Sequence, residues 1–165
     1  MTATDAVKRR TSPQGHACAT SLEDLGNITT GDKLRSLSVP LIRGDFSRLA
    51  ERWPHLDRFS VNVLEAPLED LDSLALPPSL SELRVGCDSL ESLKGLERST
   101  NLKRLDLRGC IRLSDLQPLL ELPALEWLAV DYAQMSLLGP HGIALPPTIE
   151  VVAEETFWDI GQGVG

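Results

Sequence analysis

The stretch from Leu102 to Val130, LKRLDLRGCIRLSDLQPLLELPALEWLAV, contains the pattern that decides the fold. It holds two copies of the spacing L-x-x-L-x-L, one beginning at Leu102 and the next at Leu125. A motif that returns after a fixed interval of about 20 to 50 residues is typical of proteins built from stacked units. The stretch therefore predicts that the same unit recurs elsewhere in the chain.

The spacing recurs along most of the chain at intervals of 22 to 24 residues. The copies are Leu34/Leu37/Val39, Leu56/Phe59/Val61, Leu80/Leu83/Val85, Leu102/Leu105/Leu107 and Leu125/Leu128/Val130, with a degenerate sixth at Ile149/Val152. Three copies are preceded by apolar residues spaced by three, namely Leu68/Leu71/Leu74, Leu90/Leu93/Leu96 and Leu113/Leu116/Leu119. Alternating apolar residues indicate a strand, and the three-residue spacing fits a 3₁₀ turn or short helix. Stacked units would bury one continuous Leu core between parallel strands, with irregular turns before Leu56 and Ile149.

Composition and charge exclude several classes of function. Leu accounts for 30 of the 165 residues, and 16 Lys and Arg against 24 Asp and Glu give a net charge of -8. This negative charge disfavours binding to nucleic acid or to an anionic membrane. The 3 Cys stand at unrelated spacings, and no apolar run reaches the roughly 18 residues of a membrane-spanning helix. These features predict a cytoplasmic protein without structural disulfides.

Three segments are predicted along the chain. Residues 1–20 contain few apolar side chains and are expected to form a disordered N-terminal tail. Residues 21–153 hold about five full repeats plus partial ends, the first partial one around Leu22, Leu25 and Ile28. Residues 154–165 are expected to form a C-terminal cap, in which Phe157 and Trp158 cover the last Leu layer, followed by a frayed terminus.

The repeats resemble the leucine-rich repeat family, most clearly between residues 102 and 130. They are most similar to short bacterial, internalin-like repeats and to the arrays at the C-terminal ends of NACHT-type signalling NTPases. The resemblance implies an α/β solenoid with a parallel sheet on its concave face and short helices or 3₁₀ turns on its convex face. It also implies the sensing or regulatory arm of a bacterial signalling system. Cys110 matches the turn position at which the family usually has Asn or Cys.

Strand residues that flank the core positions are expected to point away from the core, onto the concave face. The predicted columns are Ser36, Arg58, Glu82, Arg104, Trp127, Val151; then Ser38, Ser60, Arg84, Asp106, Ala129, Ala153; then Pro40, Asn62, Gly86, Arg108, Asp131, Glu155. Column neighbours lie about 4.8 Å apart, which sets Glu82 beside Arg104 and Arg84 beside Asp106. Trp127 stands beside Arg104, and both residue types are enriched in binding hot spots. The predicted partner-binding site is Arg58, Arg84, Arg104, Arg108, Trp127 and Asp131. In the alternative, Trp127 lies on the aliphatic part of Arg104 and merely covers the sheet.

The sequence predicts no catalytic, metal or cofactor site. Its 3 His are far apart and lack zinc-ligand spacing to Cys, Asp or Glu. The leading interpretation is a non-catalytic module that binds a protein or peptide and neither nucleic acid nor membrane. Two alternatives stay open: an effector-type transferase with a reactive thiol at Cys87 or Cys110, and a scaffold or decayed fragment that binds nothing. The oligomeric state is also open.

Overall fold

The computed structural model describes residues 15–18, 33–42, 49–63 and 68–154. These form an α/β structure with one seven-stranded sheet, in which every strand pairs in parallel with the next one along the chain. The strands are β1 (His16–Cys18), β2 (Ser36–Ile42), β3 (Arg58–Val63), β4 (Glu82–Cys87), β5 (Arg104–Asp106), β6 (Trp127–Asp131) and β7 (Glu150–Glu154). A parallel sheet whose strands follow chain order is compatible with a solenoid-like arrangement.

Short helical segments connect the strands, as the three-residue Leu spacing predicts. They are the α-helix α1 (Leu49–Arg52) and 3₁₀ segments at Asp72–Leu74, Leu96–Arg98, Gln117–Glu121 and Tyr132–Leu137. The turn before Leu56, which lacks that spacing, contains α1 and buries Leu49 and Trp53. Within the described part of the chain, no helix has the length and apolar character needed to cross a membrane.

The predicted core positions meet across the sheet. Leu37, Phe59, Leu83, Leu105 and Leu128 follow one another in register, and each is at most 1% exposed. Burying a side chain of this size stabilises the fold by roughly 1.5 to 3 kcal/mol. The row therefore fixes the register of the strands and sends the intervening side chains to the opposite face of the sheet.

A backbone hydrogen bond that recurs in each unit aligns the first residues of β3, β4, β5 and β6. The residue before each strand donates its N–H to the carbonyl of the matching residue one turn earlier. The four bonds are Asp57 to Arg35 (2.8 Å), Ser81 to Asp57 (2.8 Å), Lys103 to Ser81 (2.8 Å) and Glu126 to Lys103 (2.9 Å). Because every strand starts at the same height, side chains at matching positions form straight columns.

The register of β7 corrects one prediction. Trp127 pairs with Glu150 and Asp131 pairs with Glu154, so Glu150, Val152 and Glu154 continue the outward columns instead of Val151, Ala153 and Glu155. The run Val151-Val152-Ala153 is apolar at successive positions and allows either phase, and a slip of one residue reverses every side chain. The observed phase lets Val151 pack against the core.

The N-terminal prediction also needs correction. His16–Cys18, assigned from the sequence to a disordered tail, form β1 and pair with Ser36–Ser38. The carbonyl of Gly15 accepts the N–H groups of Arg35 (2.8 Å) and Ser36 (3.0 Å), which anchors this edge. The rest of the predicted tail, the partial repeat around Leu22, Leu25 and Ile28, and the predicted cap beyond Glu154 lie outside the described residues.

Candidate functional site

Four of the six predicted site residues line one pocket on the polar face of the sheet, and we name it the arginine pocket. Its volume is about 210 Å³, and its lining consists of Glu82, Leu83, Arg84, Arg104, Asp106, Arg108 and Trp127. Strands β4, β5 and β6 bring these residues together, because Glu82 pairs with Arg104 and Arg104 pairs with Trp127. The column arrangement predicted from the sequence therefore holds across these three strands.

Arg104 stacks on Trp127 within the pocket. The central carbon of its guanidinium group lies 4.6 Å from the centroid of the Trp127 ring, within the range of a cation–π interaction worth about 0.5 to 1 kcal/mol at an exposed site. The charged group, rather than the aliphatic stem, thus lies over the ring. The guanidinium group has no ion pair with Glu82, its neighbour on β4, among the contacts of the described residues.

Asp106 is the buried anion at the base of the pocket. Its side chain is 9% exposed, and its carboxylate accepts hydrogen bonds from Nε (2.9 Å), Nη2 (2.6 Å) and the backbone N–H (3.1 Å) of Arg108. The Nε atom of Arg84 lies 3.4 Å from the same carboxylate. The predicted pairing of Arg84 with Asp106 is confirmed, and Asp106 is fully engaged inside the protein.

Arg108 is held between two carboxylates. Besides Asp106, its guanidinium group contacts the carboxylate of Glu154 on β7. Hydrogen bonding to Asp106 raises the pKa of Arg108 above its usual range, although partial burial opposes the shift. Arg108 is therefore a fixed cation whose charge is neutralised within the protein. Glu154 was not predicted from the sequence, because the predicted phase of β7 put Glu155 in this column.

Comparison with known proteins assigns no family to this chain. No protein-family model matches the sequence, and no curated protein matches it.

Two predicted site residues do not line the arginine pocket. Asp131 is 7% exposed, and its carboxylate accepts the N–H of Gly109 at 2.8 Å, while its own N–H donates to Oε1 of Gln134 at 3.0 Å. It lies at the end of β6, where a short acidic side chain reaches a donor in the preceding turn. Asp131 thus joins two turns, and its predicted role in partner binding stays a prediction. Arg58 is exposed on β3, with Nε 4.0 Å from Asp57.

The buried thiols bear on the transferase alternative. Cys110 is 0% exposed, and its thiol donates to the carbonyl of Val85 at 3.1 Å. Burial raises the pKa of Cys110 to about 12, whereas a nucleophilic Cys needs a lowered pKa and access to solvent. Cys87 is equally buried, with its sulfur 3.2 Å from Oγ of Ser89. Neither thiol has the surroundings of a nucleophile.

We expect neither Cys87 nor Cys110 to react with maleimide in the folded protein. With a pKa of about 12, the thiolate fraction of Cys110 at about pH 8 is roughly one in ten thousand. Labelling in native buffer and in denaturant, followed by mass spectrometry of the digested protein, measures each Cys separately. Both should react in denaturant. Rapid labelling of Cys110 in the folded state would contradict this prediction and favour the transferase alternative.

Among the described residues, no group of three or more His, Cys, Asp or Glu is placed to hold a metal ion. An apolar groove of about 630 Å³ lies near the C-terminal end, between the Tyr132–Leu137 segment and β7, with Met135, Ile143 and Val151 in its lining. Nothing among the described residues indicates a ligand for this groove.

Proposed function

We propose that this protein is a non-catalytic recognition module that binds a protein or peptide on the concave face of its sheet. The arginine pocket is the observation that carries the proposal. It presents a Trp and three Arg on one exposed face, and these residue types dominate the energetics of protein interfaces. Arg84 and Arg108 contact Asp106, and Arg104 stacks on Trp127, so little side-chain freedom would be lost on binding.

The proposal includes a leucine-rich repeat solenoid as the scaffold. Support comes from strands that recur every 22 to 24 residues in the sequence, pair in parallel with their successors and bury a continuous row of apolar residues. The resemblance to short bacterial repeats further suggests a sensing or regulatory role in a signalling system. A cytoplasmic location goes with this role and with the free thiols of Cys87 and Cys110.

A scaffold that binds nothing explains the pocket less well. The pairing of Arg84 with the buried carboxylate of Asp106 gives a folding role to this part of the pocket. It gives none to Arg104, whose guanidinium group contacts the Trp127 ring and no carboxylate of the described residues. An exposed cation stacked on a half-buried aromatic ring is better explained by a partner.

Affinity capture from lysate of the native cell tests the proposed function. The wild type would be compared with the double variant Arg104→Glu, Trp127→Ala and with Arg112→Glu as the matched control. Arg112 is an exposed Arg outside the pocket lining, 4.0 Å from Glu91. Circular dichroism would first establish that all three proteins are folded.

The wild type and the Arg112→Glu control should retain the same partner. The double variant should bind it at least about 100-fold more weakly, since each hot-spot substitution costs about 2 kcal/mol or more. Equal retention by the double variant would move the site away from the arginine pocket. Capture of no partner by any of the three proteins would favour the scaffold.

A further inference from the structure

We propose that the arginine pocket recognises a single carboxylate of its partner, held by the guanidinium group of Arg104. This inference rests on the proposed function and names the chemistry of the partner. The carboxylate is either an acidic side chain or the C-terminus of a peptide. Both present the same planar pair of oxygen atoms, which matches the fork of an Arg guanidinium group.

Of the three Arg residues that line the pocket, one has no carboxylate partner among the described residues and is available to a ligand. Arg108 is neutralised by Asp106 and Glu154, and Arg84 lies against Asp106. The guanidinium group of Arg104 contacts the ring of Trp127 and has no hydrogen bond or ion pair to another described residue. An incoming anion can therefore pair with Arg104 without breaking a bond that the protein already makes.

Stacking on Trp127 also prepares Arg104 for a carboxylate. A guanidinium group that lies over an aromatic ring uses one of its flat faces, and its N–H donors remain available in its plane. The stack restricts the rotamers of a long and otherwise mobile side chain, which lowers the entropy lost on binding. Trp127 therefore acts by positioning Arg104, in addition to offering apolar surface to the partner.

The size of the pocket favours a peptide over a cofactor. Its volume is about 210 Å³, below the roughly 300 to 1,000 Å³ of most small-molecule sites. A cavity of this size accommodates one side chain or one chain terminus. The rest of the partner would lie across the neighbouring polar face, where Arg58 is exposed.

Glu82 restricts the charge of the ligand. Its carboxylate lines the pocket beside Arg104 and has no ionic partner among the described residues. Glu82 would repel a doubly charged phosphoryl group more strongly than a singly charged carboxylate, while Arg104 attracts either anion. A carboxylate is therefore favoured over a phosphorylated side chain.

Short capped peptides test the inference on the full-length chain. The probes are acetyl-Gly-Ala-Glu-Ala-Gly-amide, the same peptide with Gln or phosphoserine at its centre, and acetyl-Gly-Ala-Ala with a free C-terminus. Binding is followed by NMR through the indole N–H of Trp127, assigned with a Trp127→Phe variant. One charge-assisted anchor supports a Kd of about 1 mM, so titration would extend to about 20 mM.

The inference predicts a saturable shift with the Glu peptide, the free C-terminal peptide or both, and their comparison identifies the source of the carboxylate. The Gln and phosphoserine peptides should bind at least about tenfold more weakly. Arg104→Gln should abolish the shift, Glu82→Gln should tighten binding a few-fold, and the matched control Arg112→Gln should leave it unchanged.

Equal shifts with the Glu and Gln peptides, or no shift with either carboxylate probe, would overturn the inference. A preference for the phosphoserine peptide would overturn it as well. The proposed function would survive each of these results, since it depends on partner capture by the wild type and loss of that capture in the double variant. Failure of capture would instead remove the proposed function.

Discussion

Replacing Gly95 with Ala should destabilise the protein by about 3 to 5 kcal/mol. Gly95 has φ of +98°, and a Cβ atom there would lie 2.4 Å from the backbone nitrogen of Asp72 and 2.5 Å from its Cα. The obstructing atoms belong to the backbone of the preceding turn and cannot rotate away. Both the left-handed conformation and the close approach of two stacked turns therefore oppose the added methyl group.

Gly139→Ala is the matched control for this prediction. Gly139 also has a positive φ, of +90°, but a Cβ atom there would meet nothing within 4 Å. Its substitution should cost only the conformational strain, about 1 to 2 kcal/mol. Urea unfolding of both variants measures the two losses. Equal losses would contradict the close packing of the turns that contain Gly95 and Asp72.

Replacing Asp131 with Ala should destabilise the protein by about 2 to 3 kcal/mol. The substitution leaves the buried N–H of Gly109 without the acceptor that it has at 2.8 Å. It also removes the side-chain half of the capping box, in which Asp131 and Gln134 each bond to the backbone N–H of the other. Thermal or urea unfolding measures the loss.

Asp131→Asn is the control, because its amide oxygen can still accept from Gly109, and its loss should be clearly smaller. Partner binding distinguishes a structural role from a direct contact. The folded Asp131→Asn protein should bind the captured partner with unchanged affinity, since Asp131 does not line the arginine pocket. Unchanged stability combined with lost binding would restore Asp131 to the binding surface.

Much of the sheet could be predicted from the sequence. In most strands, the spacing of the apolar residues allows only one set of alternating side chains to face the core. Leu83 and Leu105 each stand between two charged residues, so one face alone can enter the core there, and the repeat spacing gives Leu128 the same phase. The structure pairs all three in register. The phase of β7 was not determined in this way, because Val151 and Val152 suit either face.

The edge strand β1 could not be predicted for a different reason. Its sequence, His-Ala-Cys, has no Leu and no alternating apolar pattern, and the strand is placed by backbone bonds between Gly15 and the start of β2. Backbone hydrogen bonds of this kind form with almost any side chain, so the sequence does not reveal them.

Most residues of the candidate site could be predicted from the sequence, but the contacts between their side chains could not. Column order put Arg104 between Glu82 and Trp127, and the sequence contains nothing to decide which neighbour it contacts. The structure has it on Trp127. The role of Asp131 depends on the position of the Gly109 N–H in the preceding turn, which residue spacing does not specify.

Mapping the captured partner onto the chain by NMR tests the central claim most directly. Titration of the isotope-labelled protein should give its largest chemical-shift changes at Arg84, Arg104 and the indole N–H of Trp127. Residues in the 3₁₀ segments Leu96–Arg98 and Gln117–Glu121 should change little. The opposite result, with large changes in these segments and none at Trp127, would show that the partner binds elsewhere and would contradict the assignment of the arginine pocket.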